Sequence, residues 1–191
     1  PHGHRIMGEQ HKKHNRREHL NDFHLNVAGE YVYDGALYAC QNDDAKQRRS
    51  KRAVWGMAAI LTVAVAAGGC IPAPGMQNCF YVLLPYLGEF LGAASVIWAL
   101  AKLGTDWSTV REYNYKKSVA VLPVRTAVTA VFSLLGIVCE LIFFFVNDHA
   151  GQTFFALLYV LLKLIALLSV LVLRAEIMQA EWDKLPKKNN S

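Results

Sequence analysis

The stretch LLPYLGEFLGAASVIWAL, residues 83–100, decides the fold class because it belongs to an apolar run long enough to cross a membrane. Crossing the hydrocarbon core of a bilayer takes about 20 apolar residues in a helix. The stretch carries one charge, Glu89, which lies between Gly88 and Gly92 and four residues after Pro85. An ionisable side chain inside a span is costly, so it usually faces protein or water and pairs with another group. The stretch therefore predicts a membrane helix whose carboxylate has a partner.

The apolar residues of the whole chain are concentrated in four such runs. Hydrophobic residues make up 53% of the 191 residues, and they cluster at 53–69, 80–101, 119–146 and 152–173. Four runs of this length predict an all-α membrane protein with four transmembrane helices in a bundle, the domain at residues 53–173. Because 52 largely polar residues precede the first run, we expect no cleaved signal peptide.

The positions of Lys and Arg indicate the orientation of the bundle. Of the 20 basic residues, ten lie in residues 1–52, and none lies in the short connections 70–79 and 147–151. Basic residues accumulate in the cytoplasmic segments of membrane proteins. We therefore expect both termini in the cytoplasm. The net charge of +5 is then mainly a topology signal, and we do not expect a nucleic-acid partner.

The two ends of the chain are predicted to lie at the cytoplasmic face. Residues 1–29 are predicted to form a flexible, basic, His-rich tail that contacts anionic lipid headgroups. Metal binding by these histidines is the alternative, but the interleaved Lys and Arg repel a cation and no Cys completes a zinc site. Residues 174–191 are predicted to extend the fourth helix inward and to end in a tail.

A β-hairpin is predicted in residues 30–52, just before the first span. The dipeptide Asp34-Gly35 lies between two short runs of β-prone residues, and it is the strongest short-range signal for a type I′ hairpin turn. The start of a juxtamembrane helix, which leads into the first span, is expected to follow the hairpin. We expect this cytoplasmic hairpin to rest on the membrane or on the inner end of the bundle.

Two cysteines, Cys70 and Cys79, lie at the ends of the connection 70–79. If this connection faces an oxidising space, they can form a disulfide that joins the first two spans. Two free thiols are the alternative. Their spacing differs from the Cys-x-x-Cys pattern of redox enzymes, so we do not expect a catalytic pair.

Three charged residues are predicted to form a cluster inside the membrane. Helix geometry, at about 1.5 Å per residue, places Glu89, Glu140 and Lys163 in the outer half of their spans. We expect Glu89 to pair with Lys163. One interpretation is an ion pair that determines which helices pack together. The other is a carboxylate that handles protons or cations in a transport path.

A polar stripe is predicted along the third span. Arg125, Thr129, Ser133, Gly136 and Glu140 follow one another at steps of three and four residues. At about 100° per residue they share one helix face, which we expect to point into the bundle. Near the inner end of the span, Arg125 is expected to extend toward the headgroups.

The second span carries a predicted helix-packing motif. Gly88 and Gly92 form a small-xxx-small pair, which lets another helix approach closely. Pro85, one turn earlier, removes a backbone donor and loosens the helix. Glu89 lies beside this face, so its side chain is expected in the seam between helices.

The chain also resembles a known group of membrane proteins. The segment EYVYDGALYAC, a first span and then IPAPGMQNCFYVLLPYLGE resemble uncharacterised small four-span integral membrane proteins of Gram-positive bacteria. The resemblance covers about residues 30–117. It implies a bacterial plasma membrane as the location, and it implies no activity.

The sequence is compatible with three functions. The sequence contains none of the motifs His-Glu-x-x-His, Gly-x-Ser-x-Gly or a phosphate-binding loop, so we expect no enzyme, no cofactor and no metal. The favoured hypothesis is a non-enzymatic accessory or scaffold subunit of a membrane complex. The alternative is a small dimeric transporter with Glu89 as the coupling carboxylate, by analogy with four-span multidrug transporters. A thiol–disulfide enzyme is disfavoured by the cysteine spacing.

Overall fold

The computed structural model describes residues 23–25, 31–33, 35–104, 107–147 and 152–185. Four of its helices are long and apolar enough to cross a membrane. The shortest has 24 residues and rises about 36 Å, more than the roughly 30 Å of a hydrocarbon core. The four predicted spans are therefore present as helices: α1 (Asp44–Cys70), α3 (Phe80–Leu103), α5 (Leu122–Val146) and α6 (Thr153–Met178).

These helices are longer or shorter than the apolar runs because hydrogen bonding, rather than hydropathy, determines where a helix ends. α1 begins at Asp44 instead of residue 53 and continues through the basic segment before the first span. α5 begins three residues late, at Leu122, because Pro123 occupies the first turn, where its missing N–H costs nothing. α3 ends at Leu103, where Gly104 takes a φ of 70° that favours glycine.

Two short helices occupy the connections. α2 (Pro74–Asn78) lies between α1 and α3, and α4 (Glu112–Lys117) lies before α5. We call the end of the bundle that carries α2 the α2 end. Within the four-helix bundle, α1 packs mainly against α6, α6 against α5, and α5 against α3, while α1 and α3 touch less.

The interior of the bundle contains an apolar cluster beside buried polar side chains. Leu61, Val65, Ala93, Ala166 and Val170 form one buried cluster between α1, α3 and α6. Large apolar side chains such as Leu91 and Phe154 are about two-thirds exposed on the outside of the bundle, the surface that hydrocarbon would cover.

A three-stranded antiparallel sheet covers the other end of the bundle, which we call the sheet end. Its central strand is β3 (Leu37–Cys40), flanked by β4 (Val110–Arg111) and β5 (Trp182–Lys184). The three strands come from the segments before α1, between α3 and α5, and after α6. The sheet therefore joins three distant parts of the chain.

Aromatic side chains hold this sheet on the bundle. Tyr38 stacks on Tyr115 with ring centroids 4.2 Å apart, and Trp182 meets Tyr115 edge-on at 5.9 Å. Trp107, which is 2% exposed, lies 5.9 Å from Trp182 and enters the apolar cluster of Val96, Leu100 and Leu173. Such aromatic pairs stabilise beyond the apolar area that they bury.

The predicted hairpin in residues 30–52 is wrong in its strand pairing. β2 (Tyr31–Tyr33) pairs with β1 (Phe23–Leu25), whereas β3 pairs with β4 and β5. A lone two-stranded hairpin is marginal in water, while three strands packed on a helix bundle are not. Long-range partners therefore replace the local one for β3, whereas β2 pairs with the preceding strand β1.

The predictions for the two ends of the chain each missed a β-strand. β1 lies within the predicted tail 1–29 and contains His24. The other residues of the tail, with its five other histidines considered for metal binding, lie outside the described part of the chain. In residues 174–191 the helix extends only to Met178, and the chain then forms β5. The strand forms because β3 offers a free edge at this point.

Candidate functional site

The buried face of α3 carries a carboxylate among apolar neighbours. Val82, Pro85, Ala93 and Val96 point into the bundle at helical spacing, and Glu89 lies on the same face. Its side chain is completely buried. Burial of an unpaired charge costs roughly several kcal/mol of folding free energy. The stability of the protein therefore depends on the groups that pair with Glu89.

Two other helices supply those partners. Lys163 of α6 forms an ion pair and a hydrogen bond with Oε2 of Glu89. Ser133 of α5 donates a hydrogen bond of 2.6 Å to Oε1. Both carboxylate oxygens are therefore occupied, and three helices meet at one side chain. The expected pairing of Glu89 with Lys163 is present.

Aromatic rings and a glycine complete the surroundings of Lys163. Its ammonium lies 4.6 Å from the ring centroid of Tyr86 and 5.1 Å from that of Tyr159, within cation–π range. Gly136 faces the end of its aliphatic stem, where an added Cβ would lie 3.6 Å from Cε. Lys163 is 2% exposed, so the protein replaces the water shell of the ammonium.

Glu140, the third charge of the predicted cluster, is arranged differently. It is completely buried one turn beyond Gly136, yet among the described residues neither carboxyl oxygen has a hydrogen-bond partner of ordinary geometry. Gly75 of α2 lies against this carboxyl so closely that no Cβ would fit between them. The hydroxyl of Tyr159 is also buried without a hydrogen-bond partner in that part of the chain.

The structure thus divides the predicted cluster into an ion pair and a separate carboxyl. Buried polar groups are nearly always hydrogen-bonded, and an exception usually marks strain, a function or an unseen water or ion. Lys163 pairs with Glu89, and in the described chain it makes no second ion pair with Glu140. A buried ion pair beside a second buried carboxyl can exchange charge partners or a proton.

The predicted polar stripe of α5 points into the bundle over most of its length. Thr129, Ser133, Gly136 and Glu140 are buried. Thr129 donates its hydroxyl hydrogen bond to the carbonyl of Arg125 within the same helix, at 2.8 Å. Thr129 therefore hydrogen-bonds within its own helix, whereas Ser133 of the same stripe hydrogen-bonds to the ion pair.

Arg125, which is expected to extend toward the headgroups, bonds to a neighbouring helix. Its side chain is half-buried, and Nη1 donates a hydrogen bond of 2.7 Å to the carbonyl of Ser95 on α3. Arg125 therefore connects α5 to α3.

The two glycines of α3 face α5. A Cβ on Gly92 would lie 2.6 Å from Oγ1 of Thr129 and 3.3 Å from its Cα, and one on Gly88 would meet the ring of Phe132 at 2.5 Å. A Cβ at Gly92 would collide with the hydroxyl of Thr129 and press on the backbone of α5, so a side chain there would push the two helices apart. Pro85 lies inside α3, one turn before this contact, and is buried.

The cysteines of the first connection are free thiols in the structure, so Cys70 and Cys79 are not joined. The reason lies in the helix arrangement. Cys70 ends α1, which packs mainly on α6, whereas Cys79 precedes α3, which packs mainly on α5. The intervening α2 folds against α5 and Glu140 instead of closing a short loop between the two thiols.

Sequence reasoning missed the aromatic partners of Lys163. Tyr86 precedes Glu89 by three residues and Tyr159 precedes Lys163 by four, so helical spacing alone places each ring beside a charge. The pairing of Ser133 with Glu89 was also missed, because a hydroxyl in a span usually bonds to its own helix.

In the described residues, no group of three or more His, Cys, Asp or Glu side chains is arranged to hold a metal ion. Comparison of the chain with protein-family models, with curated proteins and with solved structures finds no match.

Proposed function

We propose that this chain is a non-enzymatic integral membrane protein that acts as an accessory or scaffold subunit of a membrane complex. It lies in the plasma membrane of a bacterium with both termini in the cytoplasm. Its partners are the lipid bilayer and another membrane subunit or a second copy of itself. Anionic headgroups contact its basic cytoplasmic face.

One observation carries this proposal. The carboxylate of Glu89 is completely buried, and both of its oxygens are taken by side chains from two other helices. A coupling carboxylate must be reached by its ion and must release it. An ion pair enclosed in this way instead fixes which helices pack together, which is the best-attested use of buried charge.

The sheet end supports a scaffold role. The sheet has β4 and β5 as its edge strands, so within the described chain it ends in backbone edges that a further strand can extend. Since it brings together three connecting segments, a partner bound there would contact all of them.

A second function is favoured by Glu140 rather than by Glu89. The alternative of a small dimeric transporter named Glu89 as its proton- or cation-coupling carboxylate. The buried carboxyl that makes no hydrogen bond of ordinary geometry in the described chain is Glu140. If the chain carries protons or cations, we propose that Glu140 is the residue that binds them.

Affinity purification in a mild detergent tests the scaffold proposal. The tagged chain is expected to retain one membrane partner at constant stoichiometry, and the tagged partner is expected to recover this chain in return. An unrelated four-span protein, expressed at the same level, serves as the control. Recovery of the chain without a reciprocal partner contradicts the proposal.

Proteoliposomes test the transport alternative directly. Flux of protons or monovalent cations through the purified protein, lost in Glu140→Gln and retained in a variant of the lipid-facing residue Leu91, would support transport. Flux equal to that of empty liposomes contradicts it and leaves the scaffold proposal standing.

A further inference from the structure

A polar cavity lies at the sheet end of the bundle, between the start of α1 and the end of α6. Its volume is about 230 Å³, and it is separate from the buried ion pair. Every side chain that lines it is polar or charged, in contrast to the apolar surface of the spans: Asn42, Lys46, Arg49, Ser50, Glu176 and Gln179.

Two cations on one face of α1 line this cavity. Lys46 and Arg49 are three residues apart, so they lie side by side on the helix, and both are exposed. Within the described residues neither has an ion-pair partner. Neighbouring lysines are engaged, since Lys51 lies over the ring of Trp107 and Lys102 over that of Trp98.

The floor of the cavity is fixed by a bond between the two helices. Ser50 is 6% exposed and donates a hydrogen bond of 2.8 Å to Oε2 of Glu176. This bond holds the start of α1 against the end of α6. It leaves Oε1 of Glu176 to accept a bond from a ligand hydroxyl or ammonium group. The amides of Asn42 and Gln179 add neutral donors at the rim.

Counting residues along α1 indicates the level of the cavity relative to the membrane. The first apolar run begins at Ala53, so Arg49 is about 6 Å beyond it along the helix. The guanidinium of Arg binds phosphate oxygens through two parallel hydrogen bonds, and the ammonium of Lys adds a point charge. Cations at this depth therefore meet the phosphate layer rather than bulk water or hydrocarbon.

We propose that this cavity binds a phosphate ester. Lys46 and Arg49 hold the phosphate oxygens, and Glu176 accepts a hydrogen bond from the alcohol part of the ester. The ester is either the headgroup of a phospholipid, with acyl chains along the outside of α1 and α6, or a soluble organic phosphate. This site is independent of the proposed scaffold function and of the pair formed by Glu89 and Lys163.

Three probes separate the sources. The purified protein, stripped of lipid in detergent, is titrated with phosphatidylglycerol, with diacylglycerol of the same chains and with glycerol 3-phosphate, and binding is measured by native mass spectrometry. We expect saturable binding of phosphatidylglycerol and none of diacylglycerol. Binding of glycerol 3-phosphate as well identifies a soluble ester as a ligand, and its absence identifies the lipid headgroup.

Two pairs of substitutions test the residues. Lys46→Gln with Arg49→Gln is expected to weaken binding by about tenfold or more, because hydrogen bonds to charged groups are the strong ones. Arg48→Gln with Arg52→Gln removes the same charge from the same helix outside the cavity lining and is expected to weaken it far less. Equal losses in the two pairs, or full binding in the first, overturn the proposal.

A third variant tests the cavity without changing charge. Gln179 is exposed at the end of α6, so Gln179→Trp fills the cavity while leaving the bundle intact. It is expected to weaken binding as strongly as the first pair. Undiminished binding in Gln179→Trp, or diacylglycerol bound as tightly as phosphatidylglycerol, would show that the ligand lies elsewhere and overturns the proposal.

Discussion

At the scale of single residues, the groups around the buried ammonium of Lys163 stabilise its charge. Glu89 supplies the opposite charge, while Tyr86 and Tyr159 turn ring faces toward the cation. Ser133 completes the hydrogen bonding of the carboxylate. Removal of one charge leaves the other buried without a counter-charge. Removal of both leaves only the space of the two side chains to be filled.

Single substitutions of the pair are therefore expected to destabilise the protein, and the double substitution is not. Breaking one side of a buried pair costs about 3–5 kcal/mol, while a well-packed apolar replacement is often neutral. Glu89→Gln and Lys163→Met should each lower the thermal unfolding temperature in detergent. Glu89→Leu with Lys163→Leu should recover much of the loss, since Ser133 can bond to a carbonyl of its own helix.

Lys102→Met, at the exposed end of α3, is the matched control and should have little effect. Additive losses in the double variant would contradict a coupled pair.

Glu140 is expected to behave in the opposite way. Its carboxyl is buried against the backbone of Gly75 and makes no hydrogen bond of ordinary geometry in the described chain, so replacement by a neutral amide removes the cost of a buried acid. Glu140→Gln should leave the thermal stability unchanged or raise it, measured in the same detergent beside Glu89→Gln. A loss as large as that of Glu89→Gln would mean that Glu140 carries a structural bond of its own.

The sequence allows part of this site to be predicted and not the rest, for a physical reason. The depth of Glu89 and Lys163 follows from counting residues along two helices, because the rise per residue is constant. The isolation of Glu140 does not follow, because it depends on how α2 folds across the α2 end. The connection 70–79 shows no helical periodicity that would reveal this position.

At the scale of elements, the contact between α3 and α5 depends on glycine at one position. The hydroxyl of Thr129 occupies the space where a side chain at Gly92 would begin, and the Cα of Thr129 lies 3.3 Å from that point. Gly136 differs, because its neighbour is the flexible end of Lys163 at an ordinary contact distance. The two glycines therefore predict opposite responses to the same substitution.

Gly92→Ala is expected to separate α3 from α5 and to lower stability by about 1–3 kcal/mol, the usual cost of overpacking. Gly136→Ala and Gly56→Ala serve as controls, since the first has room for a methyl group and the second has nothing within 4 Å. They should be neutral or stabilising, because alanine favours a helix over glycine by about 0.5–1 kcal/mol. Thermal unfolding of the three variants measures these effects. An unchanged unfolding temperature in Gly92→Ala would contradict the close approach of α3 and α5.

The helices were predictable as elements, whereas the strands were not. A run of about 20 apolar residues has few alternatives to a helix in a membrane, since each backbone group must bond within its own segment. The strand β3 finds its partners more than 70 residues away. A local turn signal such as Asp34-Gly35 contains no information about such partners, and it therefore led to the wrong pairing.

At the scale of the whole molecule, the sheet ties the chain's connections together. β3, β4 and β5 come from three segments separated by the four long helices. Toward the opposite end, the ion pair and the hydrogen bond from Ser133 join three of those helices. The order of the helices, with the first beside the last, could not be predicted from the sequence. All four runs are apolar on several faces, so hydropathy does not select neighbours.

The sheet also predicts the topology of the molecule in the membrane. Strands that pair must lie on the same side, so the segments 37–40, 110–111 and 182–184 share one side, with the connections 70–79 and 147–151 on the other. The basic residues favour the cytoplasm for the sheet end. A reporter that is active only in the cytoplasm should be active when fused after Ser191 and inactive within 70–79 or 147–151. A reporter that is active only outside should give the reverse pattern. Activity of the cytoplasmic reporter in either short connection would contradict four membrane crossings, because the helix before it would then not have crossed.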